Sequence, residues 1–326
     1  MTDVPSLIDA ALEAPVVPSF TKLGYIARRR LFRWTQLDGY ALPGRVVALT
    51  GATSGIGRAA AMQLARDGAT LVVVGRDATR NEQLVDDLHT STGNADVSGV
   101  TADLGDRRAV REAAAQILDR HDRLDVLIHN AGALTKQRHV VDGVEATVAS
   151  QVVGPFLLTS LLLDRLAASA PARVITMSSG GMYTAPLTVD HLQMDAEHYK
   201  GTQQYALAKR AQVTLNQLWA ERHPDRSIVF HALHPGWADT PGVAASLPGF
   251  RRVMGPLLRD ADQGADTLVW LVADDREPLA TSGGFWLDRR LRPIHRLRST
   301  ARSDTPERRA ELWDWTVAAS GAAVPA

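Results

Sequence analysis

The sequence predicts an α/β fold, a doubly wound and mainly parallel sheet of about seven strands, on three observations. Short apolar runs alternate with longer helical segments from Arg45 onward. The runs are almost continuously apolar, as strands covered on both faces must be. The first run leads directly into a glycine-rich turn and a good helix former.

Taken in order, residues 1–42 stand apart as an N-terminal basic and aromatic arm. Pro5, Pro15 and Pro18 punctuate it, and residues 20–34 carry Lys22, Arg28, Arg29, Arg30 and Arg33. Such a stretch suits a helix on an anionic membrane surface or a partner, or an arm packed on its own domain. Residues 43–290 read as one domain. Its expected strands are 46–49, 70–74, 97–101, 124–128, 173–177, 227–232 and 285–287, and its helices 58–66, 81–88, 107–120, 146–167 and 202–222. Residues 291–326 form a C-terminal tail, and Arg289, Arg290, Arg292, Arg296 and Arg298 make the end of the chain basic. A short helix is expected near its end, with Thr305 as N-cap and Pro306 at the first helical position.

At 326 residues the chain is long for one compact domain and short for two large ones. Its 36 basic residues balance 36 acidic ones, which argues against nucleic acid as a partner. The absence of cysteine excludes disulfides and thiol catalysis. The histidines show no metal-ligand spacing, so no metal is expected. No secretory pattern opens the chain, and the apolar stretch 156–163 is too short to span a bilayer, so a cytoplasmic protein is expected.

The turn after the first strand reads Thr50-Gly51-Ala52-Thr53-Ser54-Gly55-Ile56-Gly57. Glycines there let the backbone approach a pyrophosphate, and the helix that follows turns its positive end toward it. That makes the fold a dinucleotide-binding Rossmann fold. The second strand ends Val74-Gly75-Arg76-Asp77. Glycine stands where an NAD site places a carboxylate, and Arg76 suits a 2′-phosphate, so NADP(H) is favoured over NAD(H). Tyr205 and Lys209 are four residues apart, on one face of a helix. An ammonium beside a phenol would draw its pKa down toward neutrality.

Together these residues resemble the short-chain dehydrogenase/reductase superfamily over about residues 40–290. Its motifs match residues 50–57, Asp103, Asn130-Ala131-Gly132, Ser179, Tyr205 with Lys209, Pro235-Gly236 and Thr240. Residues 178–182, 208–213 and 234–242 resemble in particular the branch of the vertebrate SDR family member twelve, which also has an arm like residues 20–25. The resemblance implies an oxidoreductase interconverting a carbonyl and an alcohol on a fairly apolar small molecule. It implies Tyr205 as general acid or base, Lys209 as its electrostatic partner and cofactor ligand, and Ser179, rather than Ser178, as partner of the substrate oxygen. Thr50, Gly51, Thr53, Ser54, Gly55, Ile56, Gly57, Arg76, Asp103, Leu104, Asn130, Ala131, Gly132, Pro235, Gly236 and Thr240 would hold the cofactor. The segment 181–202 could form a loop over the substrate, and Trp237 with 241–256 would line the pocket. Tyr199 is a rival to Tyr205 by residue type only. Gln151 stands where the family has an asparagine that holds a relay water, which leaves open an NADP(H)-binding sensor or scaffold without turnover. Relatives often pair through their two long helices, so a homo-oligomer is possible unless the arm or tail covers that surface.

Overall fold

Successive residues of a strand point to opposite faces, and in this chain both faces are covered. In the first strand Val46 and Ala48 enter one apolar core while Val47 and Leu49 enter the other. This explains the unbroken apolar runs. The structure, a computed structural model, describes residues 4–225 and 227–323; residues 1–3 of the arm and 324–326 of the tail lie outside the described residues.

Eight strands form the main sheet: β1 (Val46–Thr50), β2 (Thr70–Gly75), β3 (Val97–Thr101), β4 (Val126–His129), β5 (Ala172–Met177), β6 (Ile228–Leu233), β7 (Gly284–Leu287) and β8 (Arg290–Leu291). Their order is β8-β7-β6-β5-β4-β1-β2-β3. Seven run parallel, and the order reverses between β1 and β4, which opens a crevice at the strands' carboxyl ends. The seven expected strands are all present, shifted at some ends by a residue or two. The eighth, β8, folds back antiparallel on β7 through Asp288 and Arg289, with φ of 56° and 53°. Two positive φ values make a tight hairpin turn that usually announces itself as Asn-Gly, so Asp-Arg gave no signal.

Three helices, α1 (Val4–Glu13), α2 (Val16–Phe20) and α3 (Lys22–Leu31), form the arm. Next come α4 (Gly55–Arg66), α5 (Ala78–Thr92), α6 (Arg107–Arg120), α7 (Gly154–Ala168), α8 (Gly201–Arg222), α9 (Ala261–Ala273) and α10 (Pro306–Ser320). Helices α4, α5 and α9 cover one face of the sheet, and α6, α7, α8 and α10 cover the other. The helix expected at 146–167 is not uniform. A single α turn, Ala146–Val148, is capped by Glu145 and passes into a wide π turn, Ala149–Val153, before α7 begins. Apolar periodicity cannot register one inserted residue of this kind. By length and apolarity Ala146–Ala168 could cross a membrane, yet 78% of its apolar window is buried inside the protein. It is built as a core helix.

The final helix is longer than expected, at 15 residues, and Thr305 and Pro306 open it as predicted. It buries Leu312 and Trp313, and the Trp313 ring packs 5.0 Å from Phe156 and 4.9 Å from Trp219. The tail therefore covers the two long helices, and pairing through them would have to displace it.

The arm packs on its own domain. Its carboxylates point inward: Asp9 holds Arg28 and Arg292, and Glu13 holds Arg28 and Arg296. Arg28, fully buried, also meets the buried Asp288 at 2.7 Å. Much of the basic end of the chain is thus consumed in ion pairs, including Arg289 with Asp266.

Candidate active site

The end of β1 is fixed to β4 by one hydroxyl. Thr50 Oγ1 donates to Ile128 O and accepts from the backbone N–H of Asn130 and Ala131 at 3.0 and 3.1 Å. Asn130 Nδ2 returns the tie, donating to the carbonyls of Thr50 and Gly51. The glycines follow from this closeness. A Cβ at Gly51, whose φ is +70°, would lie 2.6 Å from Ala131 Cα, and one at Gly57 would lie 2.2 Å from Gly51 O. Helix α4 starts at Gly55, and Ser54, exposed, lends its first turn no side-chain cap. Those amide N–H groups are left for an anionic ligand, as a pyrophosphate site requires.

Gly75 ends β2, and a Cβ there would meet Asn81 Oδ1 at 2.4 Å. Asn81 donates to the Gly75 and Val100 carbonyls, so a carboxylate at position 75 would have to expel it. The neighbouring Arg76 is exposed and forms no ion pair among the described residues. Ala102 N–H donates to Gly75 O, which brings Asp103 beside this corner; Asp103 itself is exposed and accepts from Gly105 N–H. Leu104 presents less than expected, since its side chain is buried and its carbonyl is pressed against Gly154. The residues along this edge fit a nicotinamide dinucleotide.

At the other end of the crevice, β5 delivers Ser178 and Ser179. Ser178 is buried and donates to Lys209 O on α8, so its hydroxyl is committed to structure. Ser179 is left facing Tyr205, close enough for its hydroxyl to draw on the phenol, and its Oγ accepts from Gly181 N–H at 3.3 Å. Lys209 Nζ, fully enclosed, donates to Met177 O at 2.9 Å and lies 5.3 Å from the Tyr205 ring centre. The expected effect of Lys209 on the phenol is not seen. Tyr205 keeps part of its surface open, but burial pushes its pKa up to about 12, with the Ser179 hydroxyl pulling the other way. Burial also lowers Lys209 to about 7. An enclosed ammonium with one carbonyl partner is itself destabilised and has little charge to lend.

Gln151 sits in the π turn with its Nε2 on Ala133 O. Its Oε1 is buried without a partner and approaches Lys209 Nζ across Gly132, where an added Cβ would lie 3.1 Å from the oxygen and 3.4 Å from the nitrogen. Its main-chain carbonyl accepts from Gln212 Nε2 at 2.6 Å. Gln212 was missed in the sequence, although it stands three residues after Lys209 on the same helix face.

The remaining calls divide. Gly236, at φ +78°, lies against Arg259, which also donates to Pro235 O. Thr240 caps the helix Pro241–Ser246 and packs against Gly55, joining the two ends of the site. The segment 181–202 does not lie over the substrate as a whole: Met182 and Tyr183 are buried in the core. Tyr199 is drawn away by Thr135 and Glu145, which removes it as a rival to Tyr205. The covering element is 241–257, which reaches across through Ser246 to Leu134 O and stacks Phe250 edge-on to Trp237 at 5.1 Å.

The comparisons with known proteins agree. The short chain dehydrogenase pattern matches residues 45–248. Dehydrogenase/reductase SDR family member 12 from Homo sapiens is 37% identical over 289 residues, which cover 88% of this chain and 90% of that protein. Retinol dehydrogenase 12 from Homo sapiens is 34% identical over 251 residues, 76% and 78% of the two chains. A solved protein from Mycobacterium Paratuberculosis superposes with a TM-score of 0.70 at 26% identity, over 90% of this chain and 99% of that one. A short chain dehydrogenase from Burkholderia cenocepacia J2315, solved in complex with NADP, reaches 0.61 at 23% identity over 75% and 96%, which speaks for the fold. A pattern spanning more than half the chain, laid on a sheet with this strand order, leaves one assignment: the chain belongs to the short chain dehydrogenase family of oxidoreductases, on the branch of dehydrogenase/reductase SDR family member 12.

Proposed function

We propose that the chain is an NADP(H)-dependent oxidoreductase that interconverts a carbonyl and an alcohol on a fairly apolar small molecule. The observation behind this reading is the Ser179 hydroxyl facing the Tyr205 phenol beside an enclosed Lys209, at the mouth of a crevice whose far edge suits a dinucleotide. The cofactor, when bound, supplies or accepts the hydride. Tyr205 gives its proton to the carbonyl oxygen in reduction and takes one back in oxidation. Ser179 donates to the same oxygen as charge develops on it. A phenol held near 12 is protonated at neutral pH, the form that carbonyl reduction uses. Lys209 would pass the replacement proton to Tyr205, and the unpartnered Oε1 of Gln151 would accept from a water on its path.

Arg76, exposed beside a position that cannot hold a carboxylate, supports NADP(H) over NAD(H). Purified protein assayed on a panel of ketones and aldehydes should consume NADPH faster than NADH. A charge-assisted contact contributes about 1.5–3 kcal/mol, so Arg76→Ala should weaken NADPH binding by about ten- to a hundredfold and leave NADH unchanged. Equal losses for both cofactors would overturn the preference. NADPH binding without turnover across the panel would favour the sensor or scaffold reading, to which the Gln212 contact on Gln151 O gives its footing.

The arm also supports peripheral contact with an anionic membrane. Leu7, Ile8, Val16, Val17, Leu23 and Ile26 are exposed on it, while Asp9 and Glu13 are spent on internal pairs. On α3, Leu23, Ile26 and Arg30 share one exposed stripe at i, i+3 and i+7. Flotation with phosphatidylserine vesicles should recover the protein, and Leu23→Gln/Ile26→Gln should abolish recovery. Equal flotation of wild type and variant, or none by either, would remove the proposal.

A further inference from the structure

Phe20, outside the sheet domain in sequence, reaches the loop that carries Ser179. Its ring is 3% exposed and lies 4.4 Å from His234 at 84°, 5.7 Å from Trp237 at 84° and 6.3 Å from Tyr183 at 19°. Its carbonyl accepts from Trp237 N–H at 2.7 Å. Arg259 binds the carbonyls of Ser19, Phe20 and Thr21, and the same guanidinium crowds Gly236 and donates to Pro235 O. The turn 235–237 is therefore built on the arm's backbone.

The contact continues to the serine. Gly180 N–H, the next amide after Ser179, donates to His234 Nδ1 at 3.1 Å. Burial holds His234 down to about 3, so its ring is neutral. Nδ1 accepts, so the ring proton sits on Nε2, which is buried with no hydrogen-bond partner. A Cβ at Gly180 would meet that Nε2 at 2.9 Å and Phe20 Cε2 at 3.0 Å, so both rings lie over one α-carbon. The Phe20 ring, near-perpendicular to the imidazole, lies beside that Nε2–H and offers it an aromatic partner.

We infer that Phe20 and His234 are positioning residues: the arm sets the Ser179–Gly180 loop through the His234 imidazole, and the site is incomplete without it. The inference rests on the reading of Ser179 as the partner of the substrate oxygen. Removing the Phe20 ring frees His234 to turn, releases the Gly180 amide and lets the Ser179 hydroxyl wander from Tyr205. Contacts for the cofactor at residues 50–57 and 76 are untouched, and Pro235-Gly236 stay held through the arm's backbone carbonyls and Arg259, which do not use the Phe20 ring.

Phe20→Leu keeps apolar volume and removes the aromatic face, while Phe20→Ala removes both. In both variants kcat for carbonyl reduction should fall at least tenfold, with the NADPH dissociation constant within twofold of wild type; Phe20→Tyr, which keeps the ring, should restore kcat to within threefold. In spectra of the ligand-free protein labelled with 15N at histidine and glycine, wild-type His234 should show an acceptor Nδ1 and a protonated Nε2. Phe20→Leu should shift both signals together with the Gly180 amide. Unchanged His234 and Gly180 signals, or a lowered melting temperature with kcat preserved, would reduce the arm to a structural brace and overturn the inference. The spectra do not depend on turnover. A wild-type protein with no activity but with the shifted signals would fail the oxidoreductase reading while upholding the link from arm to serine loop.

Discussion

Tyr205→Phe should abolish turnover while leaving NADPH affinity nearly intact. The substitution removes one oxygen and keeps the ring, so the packing of α8 against the sheet is preserved. What is lost is the proton that the carbonyl oxygen must receive and the hydroxyl that Ser179 faces. Positioned proton transfer contributes about 10²–10⁴-fold in rate, and no neighbour can replace it. Tyr199 is committed to Thr135 and Glu145, and Tyr183 donates to Pro293 O. Steady-state NADPH oxidation on the best carbonyl of the panel, beside a fluorescence titration of NADPH, separates the two effects. Retention of a tenth or more of wild-type kcat would remove Tyr205 as the proton donor. A matching loss of NADPH affinity would make it a binding residue.

Much of this site was legible because dinucleotide binding and proton transfer constrain residue types at fixed places. Gly51 and Gly57 could be named since backbone approaches backbone there, and Tyr205 with Lys209 since helix spacing aligns them. Ser179 over Ser178 followed from the resemblance, and the structure gives the reason in the bond from Ser178 to Lys209 O. What stayed hidden depends on residues distant in sequence. Asn81 fills the space that forbids a side chain at Gly75, and Gln212 reaches Gln151 O from another helix. The pKa expectation failed for a related reason: a sequence shows that an ammonium is near a phenol, but not that both are enclosed. The arm's Arg28 stood in the sequence as one of five basic residues that could face a membrane or pack on the domain, and it is fully buried because its carboxylates come from α1 and from the turn after β7.

That buried arginine gives the largest expected loss of stability. Asp288 is fully enclosed and divides its two oxygens between Arg28, at 2.7 Å, and Arg259, at 2.6 and 2.9 Å. Burial alone would raise its carboxyl pKa, but Arg259 and Arg28 outweigh that and hold it below the ordinary value. Its stabilisation is therefore present above about pH 3.9 and is lost as pH falls through the folded value. Its φ of 56° lies in the left-handed region, which asparagine tolerates nearly as well as aspartate. Asp288→Asn thus removes charge without adding backbone strain, and leaves the buried Arg259 without its carboxylate while Arg28 keeps those of Asp9 and Glu13. Breaking a buried pair in this way costs about 3–5 kcal/mol, a large part of the 5–15 kcal/mol that typically holds a domain folded. Because Arg28 belongs to the arm and Arg259 to the segment beneath Pro235-Gly236, the loss should be local first. Limited trypsin digestion should cut at the exposed Arg29 and Arg30 well before the sheet domain unfolds, and the urea midpoint should drop. Arg28→Met/Asp288→Asn should lose less than the sum of the single variants, since each of them breaks the same Arg28–Asp288 pair. A midpoint for Asp288→Asn equal to wild type, or strictly additive losses, would show that the arm is held by its apolar contacts and that the carboxylate is a passenger.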